Sequence, residues 1–338
     1  MRSSRIVTSA VGAVLVTLFS CSPPASDGAD DGGASEAGAA SSGGVDGVTS
    51  EAGTPDATTA TDAGPRDSGP APIVANPGND TCASAPLIPL SAANRRLDLK
   101  ASTSGATPDV AAPCAAEQGP DVFYKFAVSK RVFVYADTFG ASWNTVLFLL
   151  SDACEPLTAT TTPGDAVCSD DACAATQSRI VAMLEPGTYR LGLGGRAGAK
   201  GDATIHFEWA LAGSGTASQL PQGNSVQTGT TTGGGGNIDL LSSDCIAAAA
   251  ENSYWWARCP SDPGGTLTAS TCDGGTTWES IVELQMPKSV GYMCSLDACG
   301  LQSRLETTVP PGAGLAVLSI DGQGGGDHGA YSMTVSRP

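Results

Sequence analysis

The sequence is poor in histidine, aromatic residues and positive charge. It contains 2 His among 338 residues, and aromatic residues make up 5% of the chain. Histidine-based metal sites and general-base catalysis are therefore disfavoured. Lys and Arg number 17 against 34 Asp and Glu, which gives a formal net charge of -17. Because so acidic a surface repels phosphate backbones, we expect no nucleic-acid partner.

Helical periodicity is also missing beyond the N-terminal segment. Apolar residues instead recur at every second position, as in Val122, Tyr124 and Phe126 or in Ile205 and Phe207. This spacing predicts half-buried strands, and clusters of Gly, Pro, Asp and Ser separate the strands at intervals of about ten residues. The expected fold class is all-β, with antiparallel β-sandwiches of about eight strands each.

Residues 1–21 have the order of an export signal. Two arginines precede an apolar stretch at 6–19, which is too short for a comfortable transmembrane helix. Leu18-Phe19-Ser20-Cys21 then resembles a bacterial lipobox, which implies that Cys21 is the lipidated first residue of the mature protein. The alternative is an ordinary signal peptide followed by a chance cysteine. Ser22, rather than Asp, follows Cys21, and for a Gram-negative lipoprotein this implies the outer membrane, on its periplasmic or its cell-surface side.

The segment 22–78 is rich in Ala, Gly, Ser, Thr, Asp and Pro and has almost no large apolar residue. It carries nine acids against one base, Arg66. Such a segment cannot bury enough surface to offset its ordering entropy. We expect an extended, disordered tether that reaches about 40 Å from the membrane.

The remaining sequence contains an internal repeat. Cys168-Ser-Asp-Asp-Ala-Cys173 recurs as Cys294-Ser-Leu-Asp-Ala-Cys299, and each motif is followed by Gln-Ser-Arg. Trp143 and Trp278 occupy matching places ahead of the motifs. We therefore predict a first sandwich at 79–212, a linker with the degenerate start of the second copy at 213–237, and a second sandwich at 238–338.

Five motifs carry a resemblance to a known family. They are Gly78-Asn-Asp-Thr-Cys82, Asp121-Val-Phe-Tyr-Lys-Phe126, Trp143-Asn-Thr-Val-Leu147, Cys168-Ser-Asp-Asp171 and Pro186-Gly-Thr-Tyr-Arg-Leu191. The sequence resembles the bacterial pre-peptidase C-terminal domain, in the variant found in tandem on myxobacterial-type surface lipoproteins. The resemblance covers about 79–212 and, less cleanly, about 222–338. It implies jelly-roll-like sandwiches that act as non-catalytic binding modules.

Ten cysteines follow Cys21, five in each copy. In an exported chain we expect disulfides. Because five is odd, either one bridge crosses between the copies or each copy keeps a free thiol. The preferred pairs are Cys82 with Cys114, Cys154 with Cys168, Cys259 with Cys272 and Cys294 with Cys299, which leaves Cys173 and Cys245 over.

The turns of the cysteine motifs hold Asp170, Asp171 and Asp297. Oxygen ligands clustered in such a turn suit Ca²⁺, while the alternative is that these aspartates cap the turn by accepting backbone N–H bonds. No other cofactor is expected.

Tyr254 and Trp256 are the candidate ligand-binding residues. If Trp255 is aligned with the inward-facing Tyr124, its two neighbours point outward, and Trp256 stands where the first copy has Lys125. Exposed aromatic rings suit the C–H faces of sugars and protein hot spots. The alternative is a sheet face covered by the linker or by the other domain.

These features predict a lipid-anchored envelope protein with two non-catalytic modules that bind polysaccharide or an extracellular protein. Gly-x-Ser-x-Gly and His-Glu-x-x-His motifs are absent from the sequence. The alternatives are a glycosidase that uses paired carboxylates and a structural envelope component without a discrete ligand.

Overall fold

The computed structural model describes residues 74–75, 80–115, 117–158, 164–233, 236, 249–288 and 291–338. Within these ranges the chain forms nineteen strands and a single short 3-10 turn at Cys82–Ser84, so the predicted all-β class is confirmed. The strands are β1 (Val74–Ala75), β2 (Arg96–Ser102), β3 (Val122–Val128), β4 (Val132–Asp137), β5 (Thr145–Ser151), β6 (Gly164–Ala166), β7 (Cys168–Ser169), β8 (Arg179–Leu184), β9 (Gly187–Gly195), β10 (Asp202–Leu211), β11 (Ala217–Gln219), β12 (Gly223–Thr230), β13 (Asn252–Arg258), β14 (Gly265–Ser270), β15 (Ser280–Met286), β16 (Gly291–Ser295), β17 (Arg304–Val309), β18 (Gly314–Gly322) and β19 (Ala330–Arg337).

The strands assemble into four sheets. Sheet 1 has the order β3-β9-β5-β7, sheet 2 β1-β2-β10-β4-β8-β6, sheet 3 β11-β13-β18-β15-β16 and sheet 4 β12-β19-β14-β17. Paired strands are antiparallel, except that β1 runs parallel to β2 and β11 runs parallel to β13. Sheets 1 and 3 share one strand order, and sheets 2 and 4 share another, so each copy of the repeat supplies one sheet of each kind.

Each copy is a sandwich with its own apolar core. Tyr124 and Phe126 from sheet 1 meet Phe207 from sheet 2 in the first core. Trp256 from sheet 3 meets Leu267 and Met333 from sheet 4 in the second. These residues lie at alternate strand positions, as the period of two predicts.

The two sandwiches also pack directly against each other. Phe133 and Tyr135 on the outer face of sheet 2 form a third buried apolar cluster with Trp255 and Val317 on the outer face of sheet 3. The rings of Phe133 and Trp255 lie 6.1 Å apart. The four sheets are therefore stacked in the order 1-2-3-4, and residues 67–338 belong to one compact unit.

The segment 213–237 was expected to be a linker with a degenerate start of the second copy. It contains β11, which pairs with β13, and β12, which pairs with β19 over its whole length. Its small polar residues suit this place because β12 is an edge strand whose residues alternate between half-buried and exposed. The strands of the second sandwich therefore begin within this segment, at Ala217, and half of its described residues belong to β11 and β12.

Equivalent hydrogen bonds identify equivalent positions in the two copies. Trp143 donates from Nε1 to the carbonyl of Asp202, the first residue of β10, at 2.9 Å. Trp278 donates from Nε1 to the carbonyl of Ala330, the first residue of β19, at 3.0 Å. Each tryptophan thus ties the loop that precedes β5 or β15 to the first residue of β10 or β19.

Four disulfides join described cysteines, and none has a predicted pairing. The bridges are Cys82–Cys154, Cys114–Cys168, Cys173–Cys259 and Cys272–Cys299. The predicted pairs Cys82–Cys114, Cys154–Cys168, Cys259–Cys272 and Cys294–Cys299 are wrong, because the bridges join loops that meet across a sheet rather than cysteines that are near in sequence. Cys294 is disulfide-bonded as well, whereas Cys21 and Cys245 lie outside the described residues.

One of these bridges crosses between the copies. Cys173 follows the short strand β7 of the first sandwich, and Cys259 follows β13 of the second. The expectation that an odd number of cysteines in each copy requires either a crossing bridge or free thiols is met by the first alternative. The bridge lies beside the packed faces of sheets 2 and 3 and links them covalently.

Candidate functional site

Tyr254 and Trp256, the predicted ligand-binding residues, lie in the core of the second sandwich. Their exposed fractions are 5% and 2%, and Tyr254 Oη lies 2.5 Å from Tyr331 Oη. Trp255 is the residue that faces out of sheet 3, and it packs against sheet 2. The predicted outward register of Tyr254 and Trp256 is wrong by one residue, and such a shift moves every side chain of a strand to the opposite face.

A groove on the first sandwich is open to solvent. It has a volume of about 560 Å³ and lies where β2 and β10 meet the loop between β4 and β5. We call it the Phe139 groove. The polar or ring-bearing side chains that line it are Lys100, Ser102, Phe139, Ser142, Asp202, Thr204 and His206.

Hydrogen bonds between neighbouring strands hold the polar side chains of this groove. Lys100 donates from Nζ to Thr204 Oγ1 at 2.7 Å. Ser102 donates from Oγ to Asp202 Oδ1 at 2.6 Å. Since the partners sit opposite each other in the β2–β10 ladder, the sheet fixes their spacing before a ligand arrives.

His206 lies at the end of the groove beside a buried carboxylate. Its Nδ1 is 2.8 Å from Oδ1 of Asp137, which also accepts the backbone N–H of Phe139 at 3.0 Å. Tyr135 donates its hydroxyl to the other oxygen of Asp137 at 2.7 Å. The hydrogen bond to Asp137 raises the pKa of His206. Burial lowers this pKa, and the negative charge of Asp137 raises it further. His206 alternates along β10 with the core residues Ile205 and Phe207, so it lies on the opposite face of the strand.

The matching place on the second sandwich is filled. The loop from Thr271 to Trp278 is two residues longer than the loop from Thr138 to Trp143, and it folds back onto β19. Thr276 donates from Oγ1 to the carbonyl of Ser332 at 3.2 Å and accepts the N–H of Ser332 at 3.2 Å. In the first copy Gly140 stands away from the sheet, with φ at +101° and no neighbouring atom within 4 Å of where its Cβ would lie. The shorter loop leaves the groove open.

The residues that line the Phe139 groove were not predicted as a site from the sequence. A readable signal existed, because the loop length differs between two copies that otherwise match. The strand positions occupied by Lys100 and His206 carry Thr228 and Thr334 in the second copy. Comparing the copies position by position would have marked this surface as divergent.

The candidate calcium ligands occupy two separate turns. Asp170 forms an ion pair with Arg196, and Asp171 lies 4.0 Å from the same guanidinium. Asp297 lies in the corresponding turn of the second copy with φ at +56°. Among the described residues, no group of three or more His, Cys, Asp or Glu has the arrangement of a metal site. Arg196 thus supplies the positive charge next to Asp170 and Asp171.

The candidate lipidation site, Cys21, lies outside the described residues. The part of the chain that the structure describes contains no helix with the length and apolar character needed to cross a bilayer.

Comparison with known proteins adds little. No protein-family model matches the sequence, and a search of curated proteins finds no match. One solved structure similar to the chain is the CUB1-EGF-CUB2 domain of human MASP-1/3, with 9% identity over 72% of this chain and 100% of that one, and a TM-score of 0.17. At that TM-score the likeness carries no argument about ligands or activity.

Proposed function

We propose that this protein is a lipid-anchored component of a Gram-negative outer membrane and that its stacked sandwiches form a non-catalytic polysaccharide-binding unit. The observation that carries the proposal is the Phe139 groove, which joins a partly exposed aromatic ring to a row of hydrogen-bonding side chains. Sugars present both C–H faces and hydroxyl groups, so they fit a surface of this composition. The pre-peptidase C-terminal resemblance supports the same role.

The chemistry of the groove favours binding over hydrolysis. A glycosidase of the usual kind needs two carboxyl groups, about 5 to 9.5 Å apart, on either side of the scissile bond. Of the side chains that line the groove, one is a carboxylate, Asp202, and it already accepts a hydrogen bond from Ser102. Asp137 lies behind His206 and is 2% exposed. We therefore place the glycosidase reading second.

The anchoring part of the proposal rests on the N-terminal sequence and on the disulfides. Bridges between cysteines 27 to 86 residues apart persist in an oxidising compartment and so support an exported protein. Cells grown with a fatty-acid probe should label the wild type and not the Cys21→Ser variant. An unlabelled wild type would contradict lipidation.

Binding is tested with the purified mature protein against a panel of soluble polysaccharides, by affinity electrophoresis and then by calorimetry. Phe139→Ala should weaken the strongest interaction about tenfold or more, which corresponds to about 1.4 kcal/mol. The matched control is Leu301→Ala, which shortens an exposed apolar side chain on the second sandwich and should bind like the wild type.

Three results would count against the proposal. Silence of the wild type across a broad panel would favour a structural envelope component. Release of reducing ends would favour the glycosidase. The third result combines two observations: a purified protein ligand binds, and Phe139→Ala leaves sugar binding unchanged. Together they would indicate a protein-binding function instead.

A further inference from the structure

A second pocket lies at the end of the second sandwich, away from the Phe139 groove. It has a volume of about 280 Å³ and is lined where β13 and β19 end. Three arginines, Arg179, Arg258 and Arg337, share this small space. We call it the arginine pocket. The whole chain has only 17 basic residues against 34 acidic ones, so three cations around one cavity require a local explanation.

Two guanidinium groups of this pocket, those of Arg258 and Arg337, have unused hydrogen-bond donors. Arg258 is 3% exposed and donates from Nη1 to the carbonyl of Pro310. Within the described part of the chain, Nε and Nη2 of Arg258 and Nε of Arg337 are buried and have no hydrogen-bond partner. Leaving buried charged donors unsatisfied costs free energy, which a bound acceptor recovers.

Aromatic and sulfur neighbours hold the arginines in place. The Arg337 guanidinium lies over the ring of Trp256 at 5.4 Å. Arg179 Nη1 lies 3.4 Å and 3.5 Å from the two sulfurs of the Cys173–Cys259 bridge. Arg179 comes from the first copy and the other two arginines from the second, so the bridge and the packed sheets bring the walls of the pocket together.

Acidic groups around the pocket balance its charge only in part. Asp262 is the one acidic side chain among the lining residues, and its Oδ2 accepts the backbone N–H of Cys259 at 2.9 Å. Glu208 acts on Arg258 from the interface between the sandwiches, and its Oε2 accepts the N–H of Leu315 at 2.9 Å. Burial lowers the pKa of Arg258 and of Arg337, while both arginines keep their charge near neutral pH.

The first copy carries apolar residues at the positions of Arg258 and Arg337. Val128 pairs with Gly187, the first residue of β9, just as Arg258 pairs with Gly314, the first residue of β18. Trp209 and Arg337 are both the eighth residue of matching strands. The first copy thus has Val and Trp where the second has Arg258 and Arg337. Its pocket of about 260 Å³ has Arg95 and Lys130 among its lining residues, and Arg95 lies over the ring of Trp209 at 5.0 Å.

We propose that the arginine pocket binds a compact oxyanion, that is, a carboxylate, phosphate or sulfate group. Planar guanidinium groups bind the oxygens of such anions through paired, charge-assisted hydrogen bonds. A buried cation without an anionic partner is unfavourable, and the first copy has Val128 and Trp209 at the positions of Arg258 and Arg337. The anion is either free in solution or a substituent of an acidic saccharide. This inference does not depend on the Phe139 groove.

The test uses the purified mature protein, with calorimetric titration by inorganic sulfate, by inorganic phosphate and by a uronic-acid oligosaccharide at constant ionic strength. The wild type should bind one of these probes saturably. Arg337→Gln should weaken binding at least tenfold. Arg258→Val, which installs the residue of the first copy, should abolish binding. Arg304→Gln removes an exposed arginine in a surface ion pair and should bind like the wild type.

The probes distinguish the sources of the anion. Binding of sulfate or phosphate alone supports a pocket for a free anion, and binding of the oligosaccharide alone supports an acidic sugar. Absence of saturable binding by the wild type for all three probes would overturn the proposal. Equal binding by the wild type and Arg337→Gln would overturn it as well.

Discussion

At the scale of single residues, Asp321 shows a large effect of burial on an acidic side chain. It is fully buried, and its Oδ1 accepts the N–H of Ala249 at 3.2 Å and of Gly322 at 2.6 Å. Burial raises the pKa of Asp321 to about 9, and the negative charges of Glu251 and Glu283 add to the effect. Asp321 therefore holds a proton in the folded protein at neutral pH.

This proton makes stability depend on pH. An unfolded Asp titrates near pH 4, so between about pH 4 and pH 9 the folded state binds one more proton than the unfolded state. The free energy of unfolding from this group then falls as the pH rises through that window. Asp321→Asn keeps the acceptor oxygen without the titration, and should be more stable than the wild type at pH 8 by about 1 kcal/mol or more.

Urea unfolding at pH 5 and pH 8 measures the effect. The gain from Asp321→Asn should be larger at pH 8 than at pH 5. Asp273→Asn, at an exposed turn position, serves as the control for loss of a charge. A gain that is the same at both pH values would show that Asp321 does not carry the proton.

Single residues also show where the sequence was insufficient. The sequence predicts that side chains of β13 alternate between two faces. It does not show which residues face the core, because Tyr254, Trp255 and Trp256 are all large and aromatic. Only packing decides that Trp255 faces sheet 2 while its neighbours face sheet 4. The other sandwich covers an aromatic face of sheet 3, as the alternative interpretation of these residues states. The aromatic residue on that face is Trp255, which the sequence predicts to point inward.

At the scale of elements, both copies carry the same buried hydroxyl cluster between adjacent strands. In the first copy Thr138 Oγ1 lies 2.6 Å from Thr145 Oγ1 and accepts the N–H of Ser178 at 3.0 Å. In the second copy Thr271 Oγ1 lies 2.8 Å from Ser280 Oγ and accepts the N–H of Ser303 at 2.9 Å. These six residues are fully buried. Each cluster ties the loop that precedes β5 or β15 to the start of the strand that follows the cysteine motif, β8 or β17.

Removing either serine hydroxyl should destabilise the protein by about 1 to 3 kcal/mol, because buried partners lose a hydrogen bond. Ser178→Ala and Ser303→Ala should have similar effects, since the two clusters match. Chemical unfolding followed by circular dichroism measures both. Ser142→Ala, at an exposed serine, should change stability by less than about 0.5 kcal/mol. A near-zero effect in both cluster variants would contradict the shared role.

Equivalent strands could be predicted from the sequence, whereas disulfide pairing could not. The Gln-Ser-Arg triplet after each cysteine motif pointed to equivalent strands, and Ser178 and Ser303 indeed occupy equivalent places. Disulfide connectivity did not follow, since Cys82 and Cys114 each reach a cysteine 72 or 54 residues away. Those bridges depend on which loops cover the outer face of sheet 1, and that is a tertiary property without a local signal.

At the scale of the whole molecule, the two sandwiches should unfold together. They share the buried cluster around Phe133 and Trp255 in addition to the Cys173–Cys259 bridge. Cys173→Ser combined with Cys259→Ser should lower the free energy of unfolding by about 2 to 5 kcal/mol. A single transition should remain, because the apolar contact persists. Cys272→Ser with Cys299→Ser, within the second copy, is the matched control.

Urea unfolding monitored by tryptophan fluorescence and by circular dichroism follows both sandwiches. Two separated transitions in the Cys173→Ser, Cys259→Ser variant would show that the bridge alone couples the copies. An unchanged free energy of unfolding would show that the bridge is absent from the protein in solution.

The two sandwiches have matching cores and different proposed ligand surfaces, as expected of duplication followed by divergence. The cores and hydroxyl clusters match, whereas the Phe139 groove is open on the first copy, and Arg258 and Arg337 in the second copy replace Val128 and Trp209 of the first. Hydrogen–deuterium exchange of the mature protein with and without its tightest-binding polysaccharide tests the central claim most directly. Protection should appear in 138–144 and 200–206 and be absent from 271–279 and 330–334. Protection at the second pair of segments, or at neither pair, would contradict the assignment of the polysaccharide site to the Phe139 groove.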